Sequence, residues 1–460
     1  MFNPGQHGFR AGRSCISQLL NHYENIITLL EKGKNVDVLY LDFAKAFDKV
    51  DFGITLSKVK ELGVHGKIGK WLHSFLTGRT QTIIVDGHKS STRKVLSGVP
   101  QGSVLGPLLF LILIGDIDAN VKFAQVTSFA DDTRATLGID NFQDCENLQS
   151  DVNEIYKWAE INNMQFNCTK FEALRYGSDD ILKSLHSYTS PDGKQIDDCN
   201  HAKDLGVCMS ASGNFNEHIN RIYLSANQLV GWVLRTFRTR HKMPMLTLWK
   251  TLILPKLDYC SQLWNPLPKG QIQMLESIQK RFLRCIKGTE NLDYWQQLKV
   301  LSVNSLQRRR ERYMIIYVWK ILEKQVPNFS AGNEITSQNG RKGRKCVERP
   351  YNRNVPTKVQ ALRESSFGIM GPKLFNLLPK EIRDTRISPS VTLDDFKHKL
   401  DNFLSRIPDE PQLRGYTAPR QADTNSLVDM IPLVDSRLCS TTEEQPTNGA
   451  GGGRARRPQY

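Results

Sequence analysis

The sequence predicts an α+β fold, and three features carry that prediction. Apolar residues recur at helical spacing from Ser17 to Leu30 and then give way, after Glu31-Lys32-Gly33, to the apolar run VDVLYLDF. Short strand patterns flank turn residues at Asp86-Gly87 and at Ala130-Asp131-Asp132, with helical stretches between them. From about Asn216 to Glu323 helical patterns dominate. Helices interleaved with strand pairs in this way argue for a mixed α+β domain.

Each element follows from its local composition. The first helix stops at Gly33, and the run Val36 to Phe43 has the continuous apolarity of a buried strand. Residues 53–77 return to helical spacing, and QTIIVDGHKSSTRKV then predicts a β-hairpin, because Asp-Gly suits a tight two-residue turn. A loop punctuated by glycine and proline, Ser97 to Gly102, leads into an apolar helix from Val104 to Ile114. Two strands around Ala130, a helix from Asn141 to Asn162 and a strand from Glu172 to Tyr176 follow. Beyond the helical stretch, residues 328–355 are polar and basic, which predicts a linker or a flexible nucleic-acid contact. A short helical module is expected at 367–406, and the tail after Pro408 has the composition of a disordered segment. The chain is thereby divided into 1–215, 216–327, a basic linker at 328–360, a small helical module at 361–407 and a tail at 408–460.

Composition narrows the function classes. With 460 residues and 39% hydrophobic content the chain can build real cores. Its 62 Lys and Arg against 47 Asp and Glu give a net charge of +15, which suits a polyanionic partner such as nucleic acid. Nine scattered cysteines form no CxxC pair and have no histidine at zinc-finger spacing, so they are expected to be reduced, intracellular thiols. The most apolar run, Leu108 to Ile114, is far shorter than the roughly 18 residues a membrane span needs.

The chemistry concentrates on carboxylates. Asp42 ends the apolar run VDVLYLDF, and Asp131 with Asp132 sits in the turn of SFADDT. An aspartate beside residues that must be buried is costly to ionise unless a cation compensates it. Mg²⁺ is such a cation, since it prefers hard oxygen ligands. If the two strands are neighbours, the aspartates can share two ions in the arrangement that assists phosphoryl transfer. Taken alone, a DD pair in a hairpin is ordinary turn chemistry.

The stretches LDFAKAFDKVDF, SGVPQGSVLGPLLFLILIGDI and SFADDT stand in the order and approximate spacing of three motifs of reverse transcriptases. QHGFRAGRSC upstream, with NMQFNCTK and DLGVCMS downstream, resembles the flanking motifs of the LINE-like, non-LTR retrotransposon enzymes, particularly the jockey-like ones. This resemblance covers residues 5–210 and implies a right-hand polymerase: partial fingers and a palm with an antiparallel sheet over 1–215, then a helical thumb over 216–327. It further implies an N-terminally truncated chain, lacking the front of the fingers.

By the same resemblance, Asp42 and Asp131 are metal ligands for two Mg²⁺ ions, with Asp132 in support and the Phe43 carbonyl as a further contact to metal or nucleotide. Phe47 falls at the position that excludes a 2′-hydroxyl; judged on its own it is an ordinary core aromatic. Pro100, Gln101 and Gly102 are expected against the nascent base pair and nucleotide, while Gly106 and Pro107 belong to the helix start. Lys170 is expected near the leaving pyrophosphate, as general acid or electrostatic clamp. Leu205, Gly206 and Val207 resemble the turn that grips the primer end. Gly115 departs from the pattern, since relatives usually carry Asn there. The partners implied are an RNA template, a DNA primer and deoxynucleotides, in the nucleus and cytoplasm. Two alternatives stand beside this reading: a nucleic-acid-binding remnant without catalysis, and an RNA-dependent RNA polymerase, which Phe47 disfavours. Two basic clusters, Arg235, Arg238, Arg240 and Lys242, and Arg308, Arg309, Arg310 and Arg312, are candidates for phosphate contact, whereas Trp249, Trp264 and Trp319 are expected in the core.

Overall fold

The structure is a computed structural model, and it describes residues 3–177, 183–184, 186–330, 332–349, 354–411 and 424–433. In chain order the first half comprises α1 (Cys15–Glu31), β1 (Asn35–Leu41), α2 (Phe52–Glu61), α3 (Gly66–Leu76), β2 (Thr80–Gln81), β3 (Ile84–Val85), β4 (His88–Lys89), β5 (Arg93–Lys94), α4 (Leu105–Ile114), β6 (Gln125–Phe129), β7 (Asp132–Ile139), α5 (Phe142–Ile161), β8 (Glu172–Tyr176), β9 (Asp197–Cys199), β10 (His201–Asp204) and β11 (Val207–Ser210). The expected elements are therefore present, within a residue or two of their predicted bounds. The Asp86-Gly87 turn is there too, with φ of 49° and 82° as a tight hairpin requires.

β1 is the centre of a five-stranded sheet of order β6-β7-β1-β8-β9, antiparallel except for the β8–β9 pair. Side chains alternate across a strand, so β1 serves two cores. Val36 and Val38 face the core that contains Leu19, Tyr23 and Ile26 of α1. Leu39 and Leu41 face a second core built from Phe110 of α4 and Leu148, Val152 and Ile155 of α5. Burial on both faces explains the unbroken apolar run in the sequence.

The second half is helical: α6 (Asn216–Thr236), α7 (Lys269–Leu283) and α8 (Leu306–Leu322) pack on the α1 side, where Trp249, Trp264 and Trp319 are buried as expected. The arginine cluster of α8 corrects the sequence reading. Arg308 and Arg310 are each 1% exposed, so they cannot meet a phosphate. Arg308 donates to the carbonyls of Leu404, Ile407 and Pro408, and Arg310 to Asn265 and Gln307. Arg309 pairs with Asp258 at 2.6 Å and Arg312 with Asp401 at 2.5 Å. Their acceptors come from distant parts of the chain, which counting charges along a window does not reveal.

Two further expectations change in the same way. The basic stretch after 328 is not a free linker, because Ser337–Gly340 pairs with Gly343–Cys346 in a hairpin. Its Arg344 is buried against Glu323 at 2.5 Å, and Arg349 reaches Glu24 of α1 at 2.8 Å. The helical module docks on α1, since Arg363 pairs with Glu24 and Glu31. Of the predicted disordered tail, residues 408–411 and 424–433 are described and packed: Leu427, Met430 and Ile431 are buried. Residues 412–423 and 434–460 lie outside the described residues.

Candidate active site

The site grows out of the register of β1 against β7. Leu41 stands opposite Thr133 at the end of this ladder, so Asp42 and Asp132 are each the next residue beyond a paired one. The β6–β7 hairpin has a two-residue turn, Ala130-Asp131, between the paired Phe129 and Asp132. Ala130 has φ 56°, a left-handed conformation that a non-glycine residue holds only under restraint. The N-terminal segment supplies the restraint. Gln6 is 4% exposed, and its side chain bonds both backbone groups of Ala130, while Ser128 donates to Gly5 O and accepts from His7 N. A Cβ at Gly8 would lie 2.3 Å from Ala130 N, so only glycine lets the chain pass this close.

Three carboxylates thus gather where two strands end. Burial raises the Asp131 carboxyl above its ordinary value, and the charges of Asp132 and Asp42 push the same way. Asp132 is raised chiefly by burial, with Asp42 adding to it and Arg134 opposing. Lys170, at the end of the short helical turn Cys168–Lys170, reaches Asp42 at 2.9 Å, and this bond raises the ammonium group's own pKa. A cleft of about 330 Å³ opens here, lined among others by Asp42, Asp132, Lys170, Lys203, Asp204 and Leu205. The structure therefore brings three of the predicted carboxylate and lysine positions together with the expected primer turn. Asp131 does not line this cleft.

The remaining predicted residues divide. The Phe43 side chain is buried at 3% exposure, stacked on Phe166 at 4.3 Å, so only its backbone is available to a ligand. Phe47 is half-buried, stacked on Phe110 at 4.5 Å with the edge of Phe9 at 5.9 Å. Its carbonyl accepts from Val99 N at 3.0 Å, and Gly98 donates to Val50 O, which ties the Ser97–Gly102 loop to the segment after β1. Gln101 Nε2 donates to Asp48 at 2.9 Å, and Gly102 is exposed with φ 79°. Pro100 is half-buried in the same loop. Leu205 and Gly206 form the β10–β11 turn, both left-handed at φ 44° and 85°, and Val207 is fully buried.

Sequence reasoning missed the parts that hold this arrangement. Arg134 and Asp204 form an ion pair of 2.5 Å with 1% and 2% of their side chains exposed. It joins the strand of Asp132 to the residue before the Leu205 turn. From the helical half of the chain Tyr259 donates to Leu205 O at 2.7 Å. The only sequence signal for Asp204 was its place in DLGVCMS, and nothing marked Arg134 as its partner or Gln6 as the support of Ala130.

Neighbouring strand ends that present carboxylates, with a glycine-rich loop and a lysine beside them, are the arrangement expected of a polymerase palm. The comparisons make this specific: residues 1–207 match the family model for reverse transcriptase (RNA-dependent DNA polymerase). It is 28% identical over 67% of its length to a probable RNA-directed DNA polymerase from transposon X-element of Drosophila melanogaster. It is 26% identical, again over 67%, to the RNA-directed DNA polymerase from mobile element jockey of the same organism. The matched region spans 35% of the length of each of these relatives. Among solved structures, apo telomerase from Candida tropicalis aligns with 65% of this chain and 50% of its own at TM-score 0.35 and 10% identity, a likeness too remote to weigh. Among the described residues no helix is long and apolar enough to cross a membrane.

Proposed function

We propose that this chain extends a DNA primer with deoxynucleotides on an RNA template, releasing pyrophosphate. The observation that carries the reading is the meeting of the β1 end, which carries Asp42, with the β7 start, which carries Asp132, beside the Asp131 turn: three carboxylates that repel one another, with Lys170 paired to Asp42. Such an excess of hard oxygen donors suits Mg²⁺, which usually takes one or two carboxylates together with water and substrate phosphates. Among the described residues no three His, Cys, Asp or Glu side chains are grouped to hold a metal ion by themselves, so substrate oxygens would have to complete the site. Asp42, Asp131 and Asp132 would hold two Mg²⁺ ions, which would supply activation of the primer hydroxyl and neutralisation of the leaving phosphate.

The chain's own groups do the positioning. Lys170 exchanges its bond to Asp42 for the pyrophosphate oxygens and donates a proton there. Gln101 and the open backbone at Gly102 meet the new base pair, with Pro100 fixing the loop. The Phe47 ring lies under the sugar and excludes a 2′-hydroxyl. Leu205 and Gly206 hold the primer end, and the work belongs to the nucleus and cytoplasm. The test is primer extension on a homopolymer RNA template with each nucleotide type. Template-directed deoxynucleotide incorporation that Asp131→Asn removes supports the reading; a failure of the purified, folded chain to incorporate under any template overturns it.

A further inference from the structure

Between residues 62 and 97 the surface has a composition that the polymerase site does not use. Ile68 and Trp71 of α3 are 63% and 55% exposed, and Ile83, Ile84, Val85 and Leu96 are 60–82% exposed. Large apolar groups concentrated this way on a surface mark a contact. The same 36 residues contain six Lys and Arg and a single carboxylate, Asp86. Lys67, Lys70, Lys89, Arg93 and Lys94 are all exposed.

Helix geometry sorts these groups. Leu72 and Leu76 anchor α3 in the second core. Ile68, Trp71 and Phe75 follow at steps of three and four, so they share one stripe, and Lys67 and Lys70 run along the row beside it. Trp71 and Phe75 are stacked on each other, centroids 5.6 Å apart and planes at 20°, which leaves an aromatic step bordered by ammonium groups. An apolar protein partner explains the rings but not the excess of cations. A duplex explains the cations but not the rings, since its bases are already stacked. A single strand uses both, with phosphates on the lysines and unpaired bases on the rings.

The position points to which strand. The hairpin that follows α3 is tied at its base to the nucleotide loop: Val95 N donates to Arg79 O at 2.9 Å, and the Arg79 guanidinium donates to Gly98 O. The chain runs directly from this hairpin into Ser97–Gly102. We propose that α3, with the basic hairpin, binds the single-stranded RNA template before it is copied. This rests on the polymerase reading for the identity of the strand, but the binding itself needs no catalysis.

The experiment compares two fluorescent RNA–DNA primer-templates, one with a long single-stranded oligo(U) extension of the RNA and one blunt at that end, by anisotropy across a salt series. Trp71→Ala should weaken the extended substrate about tenfold and leave the blunt one within about twofold, with the salt slope unchanged. Trp71→Phe, which keeps a stacking face, should recover most of the loss. Lys67→Gln with Lys70→Gln should lower the salt slope for the extended substrate by about 1.4, roughly 0.7 for each single-strand phosphate contact removed. Since Trp71 is exposed, melting curves should be unchanged. Equal weakening of both substrates, or of neither, overturns the proposal, and the second result assigns the face to a protein partner. Asp131→Asn separates the two readings, because it removes extension and leaves extension-dependent binding intact. If that binding is present while no variant or wild type ever polymerises, the polymerase reading fails and the strand site stands.

Discussion

The side-chain amide of Gln6 grips both backbone groups of Ala130: Oε1 accepts from the Ala130 N–H at 2.8 Å, and Nε2 donates to the Ala130 carbonyl at 3.1 Å. A residue more than a hundred positions earlier thus sets the left-handed turn that carries Asp131. Gln6→Ala leaves three buried backbone groups without this partner, Ala130 N and O and also Gly8 N, each costing about 1–3 kcal/mol. The melting temperature should fall, and kcat for primer extension should fall with little change in the KM for primer-template. Steady-state kinetics beside a melting curve check this; lost stability with unchanged kcat reduces Gln6 to a brace of the fold.

Asp131→Asn keeps the size of the side chain and removes its charge. Extension should be abolished while RNA binding stays within a few-fold, because the basic surfaces are untouched. The raised pKa of Asp131 comes first from burial, so the uncharged side chain should not destabilise the fold. Extension at the wild-type rate would falsify the metal-ligand assignment.

The strands, the turns and the carboxylates were legible in the sequence because each is written in a few adjacent residues. VDVLYLDF states its own two-sided burial, and Asp86-Gly87 its own turn. The supports were not legible, because they depend on pairing across the chain. Arg134 meets Asp204 only after β7 and β10 have taken their places. The α8 arginines looked like a phosphate-binding run until Asp258 and Asp401 came beside them. Likewise the stretch after 328 has linker composition, and only the carboxylates of Glu323 and Glu24 turn its arginines inward.

Asp204 predicts how stability varies with pH. Burial pushes its carboxyl up to about 6 against the pull of Arg134, whereas an aspartate in an unfolded chain titrates near 3.9. The folded state therefore holds this proton more tightly. Its contribution to stability is complete below about pH 4 and is lost as pH rises through about 6, a difference on the order of 3 kcal/mol. Asp131 and Asp132, also raised, act in the same sense. Denaturant unfolding at about pH 5 and about pH 7.5 should show this slope in the wild type, and Asp204→Asn should flatten it. An unchanged slope in that variant assigns the pH dependence to other groups.

The Arg134–Asp204 pair should also separate stability from primer placement. Asp204→Leu leaves a buried guanidinium unpaired, which typically costs about 3–5 kcal/mol. Adding Arg134→Met removes the stranded charge and should recover most of that loss. The turn at Leu205 then keeps Tyr259 but has lost its tie to the strand of Asp132. The double variant should melt near the wild-type temperature and show a KM for primer-template raised severalfold, with KM for nucleotide unchanged. Wild-type kinetics in the double variant show that the pair serves folding alone.

Phe47 gives the sharpest test of which sugar is accepted. Its backbone is fixed without the ring, by the bond from Val99 N to its carbonyl, so shortening the side chain should not release the loop. The ring itself is held by stacking on Phe110 and by the edge of Phe9. Phe47→Ala removes these contacts, and since the ring is half-buried the loss should be below the roughly 3–5 kcal/mol of a fully buried phenylalanine. The variant should fold and extend primers, now with ribonucleotides competing against deoxynucleotides, while Phe47→Tyr, which keeps a ring, should exclude them. Competition assays with both sugars on one template measure the ratio. If the folded, active Phe47→Ala chain discriminates as the wild type does, the ring belongs to the core around Phe110 and the selection lies elsewhere in the site.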